Sequence, residues 1–297
     1  MAALALAWAS LHAASAHADP VDLSPEAIAA REAIYDIPGL ALLTGPGTPL
    51  QPGERIAFYG DSITWLGDYI DALQTAIDAS PETIGLGVAL INNGIDCAEA
   101  TDILNGVQNF CGGQTEPPFV ARLAVDDATI VVIYVGINEV RRGRGPVFAE
   151  SEQALRDLVG LGKLSGARVV LAAPTVSGEH PDGSNPFDTD IDTYAAIGAQ
   201  VASDAGVTFV NLREVSIAYL GNHNVTVLPD ETQVYQSSGV LTVDELHPSA
   251  AGISLLAEHM AFGIVRAFAE PVPTLGPFGG LALGILIVAV SWRALRV

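Results

Sequence analysis

Four short stretches carry side chains whose types and spacing could do covalent chemistry. Gly60-Asp61-Ser62 follows an apolar run and offers a hydroxyl nucleophile. Val243-Asp244-Glu245-Leu246-His247-Pro248-Ser249 places a carboxylate three residues before an imidazole. One turn of chain brings such a pair within hydrogen-bond reach. A serine hydroxyl attacks only when a neutral base takes its proton, and that base needs a partner to fix its tautomer. Ser62, His247 and Asp244 are that set of groups, and the chemistry available to them is acyl transfer. Gly94, in Asn92-Asn93-Gly94-Ile95-Asp96, lets a backbone N–H approach a ligand closely. Asn138, in Gly136-Ile137-Asn138-Glu139, can aim its side-chain NH2 at an oxyanion. Each stretch alone also has an ordinary reading, because serine caps helices and glycine makes turns. Glu139 reads more simply as a solvated or locally hydrogen-bonded carboxylate than as a second catalytic group.

These residues need elements to position them. Five β-rich runs stand out: Arg55–Tyr59, Val88–Asn92, Thr129–Val135, Arg168–Ala172 and Val207–Asn211. Each is nearly continuous in apolar side chains, as expected of strands buried on both faces of a parallel sheet. Helix-like stretches lie at Trp65–Ala79, Val147–Leu164, Asp190–Ala205 and Ser249–Phe268. Strands alternating with helices predict a doubly wound α/β fold, a five-stranded parallel sheet sandwiched by helices. Ligands of such folds bind beyond the carboxyl ends of the strands. Ser62, Gly94 and Asn138 each follow a predicted strand, and His247 precedes the last helix.

Gly60-Asp61-Ser62, Gly94, Gly136-x-Asn138 and Asp244-x-x-His247-Pro248, in this order, resemble the four blocks of the SGNH (GDSL-type) hydrolases. The resemblance spans about Arg55 to Phe268 and implies a flavodoxin-like α/β sandwich with esterase activity. It implies Ser62 as nucleophile, His247 as base and then acid, and Asp244 as its orienting partner. It also implies an oxyanion hole of the Ser62 and Gly94 N–H groups and the Asn138 side chain. One position departs: Glu139 stands where the family pattern has aspartate, and the extra methylene bears on the loop holding Asn138. The fold and triad are compatible with a hydrolase of small acyl esters, with an acyltransferase using the same triad, or with a non-catalytic surface module.

The remaining histidines suit catalysis less. His12 and His17 lie in the leader, His180 and His223 in Gly/Asn-rich loops, and His259 within the last helix. No Cys/His spacing suggests a metal, and no cofactor is implied. Cys97 and Cys111 can pair in an oxidising compartment. Acidic residues outnumber basic ones by 34 to 13, for a net charge of −21. Such a surface repels phosphate backbones and anionic lipid, which argues against nucleic-acid partners. Two Gly- and Pro-containing loops, Glu99–Pro118 and Val176–Asp190, are expected to shape the pocket.

Residues 1–18 read as a signal peptide ending in Ala16-His17-Ala18, although no Lys or Arg precedes the apolar stretch. Residues 19–54 read as an N-terminal extension packed on the hydrolase domain, 55–270. Between Glu270 and Arg293 lie 22 uncharged residues, followed by Arg293 and Arg296. Residues 271–297 therefore read as a transmembrane anchor with a cytoplasmic basic end. Their layout resembles the sorting tails of the PEP-CTERM and IPTL type, which implies a sorting protease as partner. The expected location is the periplasm or cell surface, tethered to the inner membrane or released. The expected substrate is a small acyl ester or an acylated glycan.

Overall fold

A computed structural model describes residues 21–143 and 148–269. The stretches read as signal peptide (1–18) and as membrane anchor and sorting tail (271–297) lie outside the described residues. The centre is a parallel five-stranded sheet of β1 (Arg55–Gly60), β2 (Ala89–Gly94), β3 (Ile130–Tyr134), β4 (Arg168–Ala172) and β5 (Thr208–Val210). Its strand order is β2-β1-β3-β4-β5, so the chain winds outward both ways from β1 and β3. All four pairings are parallel.

Side chains alternate across the sheet as the pleat requires. Ile56, Phe58, Ile130, Val132 and Val170 face one core, which they share with α4 (Asp68–Ala79) and α11 (Ala250–Ala269). Ala57, Tyr59, Val131, Ile133 and Leu171 face the other, with α5 (Ala100–Asn105), α6 (Phe119–Asp126), α8 (Ala149–Leu164) and α9 (Asp188–Ala205). Two buried faces explain why the central strands read as unbroken apolar runs. β2 is an edge strand and only partly buried, so the expectation of burial on both faces fails there. α11 is long and apolar enough to cross a membrane by composition, but Leu256, Met260 and Ile264 bury it against the sheet.

The stretch Trp65–Ala79 is not one helix. It divides into α3 (Ser62–Leu66) and α4, because Gly67 adopts a left-handed conformation with φ 82 that closes the first helix and starts the second. Residues 21–54 carry α1 (Pro25–Tyr35) and α2 (Gly39–Thr44), which pack on α10 (Leu212–His223) and α11 respectively. α1 is capped by the Ser24 hydroxyl, which accepts from the Ala27 N–H. Near the carboxyl edge, Thr226–Val227 and Gln233–Val234 form a small antiparallel ribbon. The stretch Glu99–Pro118 is not wholly loop, since it holds α5 and is tied to the loop after β2 by a Cys97–Cys111 disulfide.

Candidate active site

β1 delivers Ser62 to the carboxyl edge of the sheet. The strand ends at Gly60, Asp61 caps the next helix by accepting the Ile63 N–H at 3.0 Å, and Ser62 is the first residue of α3. The helix cap is therefore Asp61 rather than the serine, which frees the Ser62 hydroxyl for other work. Gly60 does not make the turn by unusual dihedrals. It is glycine because a Cβ there would strike the Thr64 side chain and the Tyr134 carbonyl. The Ser62 N–H sits at the positive end of α3 and has no acceptor among the described residues.

The chain brings His247 to Ser62 from 185 residues away. His247 Nε2 lies 3.1 Å from Ser62 Oγ, and His247 Nδ1 lies 2.7 Å from Asp244 Oδ2. An ionised carboxylate can only accept, so Nδ1 carries the ring proton and Nε2 turns a lone pair toward the serine hydroxyl. Asp244 Oδ1 also accepts the His247 N–H at 2.7 Å and the Leu246 N–H at 3.2 Å. Partial burial pulls the Asp244 carboxyl upward, but its hydrogen bonds from His247 outweigh that and hold it below the usual carboxylate value. Both side chains remain partly open to solvent, at 28% for His247 and 53% for Asp244. A substrate can thus reach them directly.

The expected oxyanion donors are arranged less simply. Asn138 follows Gly136, whose φ of 134 is open only to glycine and whose missing Cβ makes room for the Tyr194 ring. One N–H of the Asn138 amide donates to the Ala98 carbonyl at 2.9 Å, which fixes the amide plane and leaves its second N–H. Gly94 differs from expectation. Its N–H donates to Asn92 Oδ1 at 2.9 Å, and the position is glycine because a Cβ would strike the Trp65 backbone. On the same loop, Cys97 holds φ 62 and its N–H has no acceptor among the described residues. Its carbonyl accepts from Arg142 Nη2 at 2.7 Å, and Gln114 anchors the Asp96 N–H at 2.6 Å.

Glu139 is not a solvated carboxylate. It is fully buried, and Oε1 accepts from the Ala100 N–H at 2.7 Å and the Tyr194 hydroxyl at 3.1 Å. It thereby joins the first residue of α5 to α7 (Ile137–Arg141), which carries Asn138, and to α9. Oε2 is buried without a hydrogen-bond partner. Burial raises the Glu139 carboxyl to about 7 against the pull of the Ala100 N–H. Asp61, also buried, is raised to about 7 by burial, opposed by the Ile63 N–H and reinforced by the Glu139 charge. Burial thus pushes both the Asp61 carboxyl, next to Ser62 in sequence, and the Glu139 carboxyl above the usual carboxylate range.

The other histidines stand apart from this cluster. His259 is buried in α11 with its ring against the Tyr35 carbonyl, and burial lowers its pKa. His223 ends α10 rather than lying in a loop, stacked on Tyr219. His180 contacts Ser184. No group of three or more His, Cys, Asp or Glu suited to a metal occurs among the described residues.

A doubly wound α/β sandwich with a serine, an imidazole and a carboxylate in line beyond its strands has the architecture of a hydrolase. Comparison with known proteins agrees. Residues 58–254 match the GDSL-like Lipase/Acylhydrolase family, so the chain belongs to that family and is a carboxylic ester hydrolase. Among solved structures, an acetyl xylan esterase, AlAXEase, is 26% identical, with a TM-score of 0.54 over 69% of this chain and 96% of its own. The acetylxylan esterase Axe2 from Geobacillus stearothermophilus is 22% identical, with a TM-score of 0.55 over 75% of this chain and 98% of its own. LAE5, an alpha/beta hydrolase enzyme from the metagenome of Lake Arreo, Spain, is 19% identical, with a TM-score of 0.53 over 74% and 97%. No curated protein matches the sequence.

The buried Glu139 carboxyl makes stability depend on pH. Its folded value near 7 lies above its usual value of 4.5. The protonated group therefore favours the fold fully below pH 4.5, and that contribution is lost as pH rises through 7. Glu139→Gln keeps the Oε1 acceptor and cannot ionise. Urea unfolding at pH 5 and pH 8 is expected to show a smaller loss of stability with rising pH for Glu139→Gln than for wild type. Equal losses would contradict the burial of an ionisable group here.

Proposed function

We propose that the chain hydrolyses acetyl esters of carbohydrates through an acyl-Ser62 intermediate. The observation that carries this reading is the unbroken line from Asp244 through His247 to Ser62, with contacts of 2.7 and 3.1 Å. His247 Nε2 takes the hydroxyl proton as Ser62 Oγ attacks the ester carbonyl. The ring becomes positively charged, and Asp244 stabilises that charge through Nδ1–H. The tetrahedral oxyanion collapses, the C–O bond to the alcohol breaks, and Nε2–H gives its proton to the departing sugar oxygen, which leaves as a hydroxyl. Water then repeats the sequence on the acyl-serine and releases acetate. No metal or cofactor enters either half.

The oxyanion would be met by the Ser62 N–H and the second N–H of the Asn138 amide. A third donor comes from the loop after β2. Gly94 can serve only if Asn92 releases its N–H, whereas the Cys97 N–H has no such bond among the described residues. Donors held in place before reaction are worth roughly 10²–10³ in turnover each.

Two observations support a sugar as the alcohol. The acetyl xylan esterase matched at 26% identity shares the fold over most of its length. Trp65 lies three residues beyond Ser62 on α3, so the two share a helix face, and it is 46% exposed. An open indole beside a nucleophile offers the flat apolar surface on which a pyranose ring can stack. The leader-like residues 1–18 and the Cys97–Cys111 disulfide support export, and the apolar run of 271–292 supports tethering at the inner membrane.

Kinetics on p-nitrophenyl acetate and on acetylated xylo-oligosaccharides test the reading. Ser62→Ala and His247→Ala are each expected to lower kcat by roughly 10³-fold or more on both substrates, with the protein still folded. Unchanged turnover in either variant would remove the triad. Trp65→Ala is expected to raise KM for the oligosaccharide several-fold, about 1 kcal/mol of lost contact, while p-nitrophenyl acetate kinetics stay near wild type. An equal effect on both substrates would deny Trp65 a role in sugar binding.

A further inference from the structure

In the turn that carries Asp244 and His247, Leu246 packs against the core while its neighbours point outward. Val243 is 65% exposed, Asp244 faces solvent, and Glu245 sits at φ 71. The turn is closed at its base by the Val243 N–H on the His247 carbonyl at 2.8 Å and by a bridge between Thr242 and Pro248. Beyond the Leu246 contact, its position relative to the sheet depends on what holds that base.

Most of the side-chain hydrogen bonds to that base converge on one carboxylate. Glu179 lies in the loop after β4, is fully buried, and makes no salt bridge among the described residues. Oε2 accepts the Val240 N–H at 2.9 Å, and Oε1 accepts the Leu241 N–H at 2.7 Å, the Thr242 N–H, and the Thr242 hydroxyl at 2.8 Å. Three successive backbone donors and a hydroxyl thus converge on a single side chain, 61 to 63 residues away in sequence. The same segment adds two backbone ties: the Gly178 N–H donates to the Glu245 carbonyl at 2.7 Å and the Glu179 N–H to the Ser237 carbonyl at 3.1 Å. Asn224 completes the frame by donating to the carbonyls of Glu179 and Gln236.

We propose that Glu179 is the positioning residue of the hydrolase, clamping Val240-Leu241-Thr242 through its carboxylate so that the Asp244–His247 turn meets Ser62. It touches neither substrate nor the reacting atoms. Its action passes from β4 through the buried carboxylate to the base of the turn, and so to the imidazole. The inference rests on the triad reading above. An apolar residue of similar size would leave three backbone N–H groups buried without acceptors, and the turn would shift to find them partners.

The experiment compares wild type, Glu179→Ala, Glu179→Gln and Leu158→Ala on p-nitrophenyl acetate, with melting temperatures measured alongside. Leu158 is buried in the core on the other face of the sheet and serves as a control for lost stability alone. Glu179→Ala is expected to lower kcat about 100-fold with KM changed little, the size of effect that a shift of about 1 Å in a catalytic group produces. Glu179→Gln keeps one acceptor oxygen but turns an NH2 toward a backbone donor, and is expected to lie between, about tenfold below wild type. Leu158→Ala is expected to melt lower yet keep its kcat per folded molecule. If Glu179→Ala does not fold, Glu179→Gln decides alone, and a wild-type kcat in it overturns the proposal. Activity that falls in Glu179→Ala and Leu158→Ala alike, in step with lost stability, also overturns it. An inert wild type overturns the underlying hydrolase reading instead, so the two failures are distinguishable.

Discussion

The hydrogen bond between His247 Nε2 and Ser62 Oγ, at 3.1 Å, joins the two ends of the domain and gives the rest of the structure its purpose. Its two atoms come from elements that meet nowhere else in sequence. Ser62 is placed by β1, a central strand buried on both faces and flanked by β2 and β3. His247 is placed by a turn just before α11, and α11 packs along β4 and β5. A doubly wound parallel sheet suits this task because every strand ends at the same edge, so loops distant in sequence converge there.

The same edge concentrates acid. Asp61, Glu139, Glu179 and Asp244 all lie near it, in a chain whose net charge is −21. The structure handles them in different ways. Asp244 keeps solvent contact and His247 as partner, and its carboxyl is held down. Asp61 and Glu139 are buried, and burial drives both up to about 7. Glu179 is buried against three backbone N–H groups and a hydroxyl. The carboxylate that meets His247 is therefore the exposed one, while the buried carboxyls tie down the loops that surround it.

The central sheet was readable in the sequence because burial on both faces leaves an unbroken apolar run. Arg168–Ala172 coincides with the observed strand to the residue, and β1 and β3 differ by one or two at their ends. The short elements were not readable. α5 and α7 span six and five residues, too short for a helical period to emerge from Gly- and Asn-containing sequence. The break at Gly67 was visible as a glycine before an aspartate, but the apolar period runs on across it. Ser62, Asp244 and His247 were approachable because acyl chemistry restricts residue types and two of the three are near neighbours. Glu179 left no such signal. Its partners are backbone N–H groups, which carry no side-chain pattern, and they lie some sixty residues away. The engagement of Gly94 by Asn92 is a different case, a contact between residues only two apart whose donor is again a backbone N–H.

The most direct test of the account is labelling of the purified protein with a fluorophosphonate, read by intact mass and peptide mapping. Such a reagent reacts with a serine only where a base has activated it and an oxyanion site receives the phosphoryl oxygen. The structure predicts one adduct per chain, on Ser62, whose formation slows strongly in His247→Ala. A folded protein that takes no label, or takes it on another residue, would contradict the placement of the nucleophile at the end of β1.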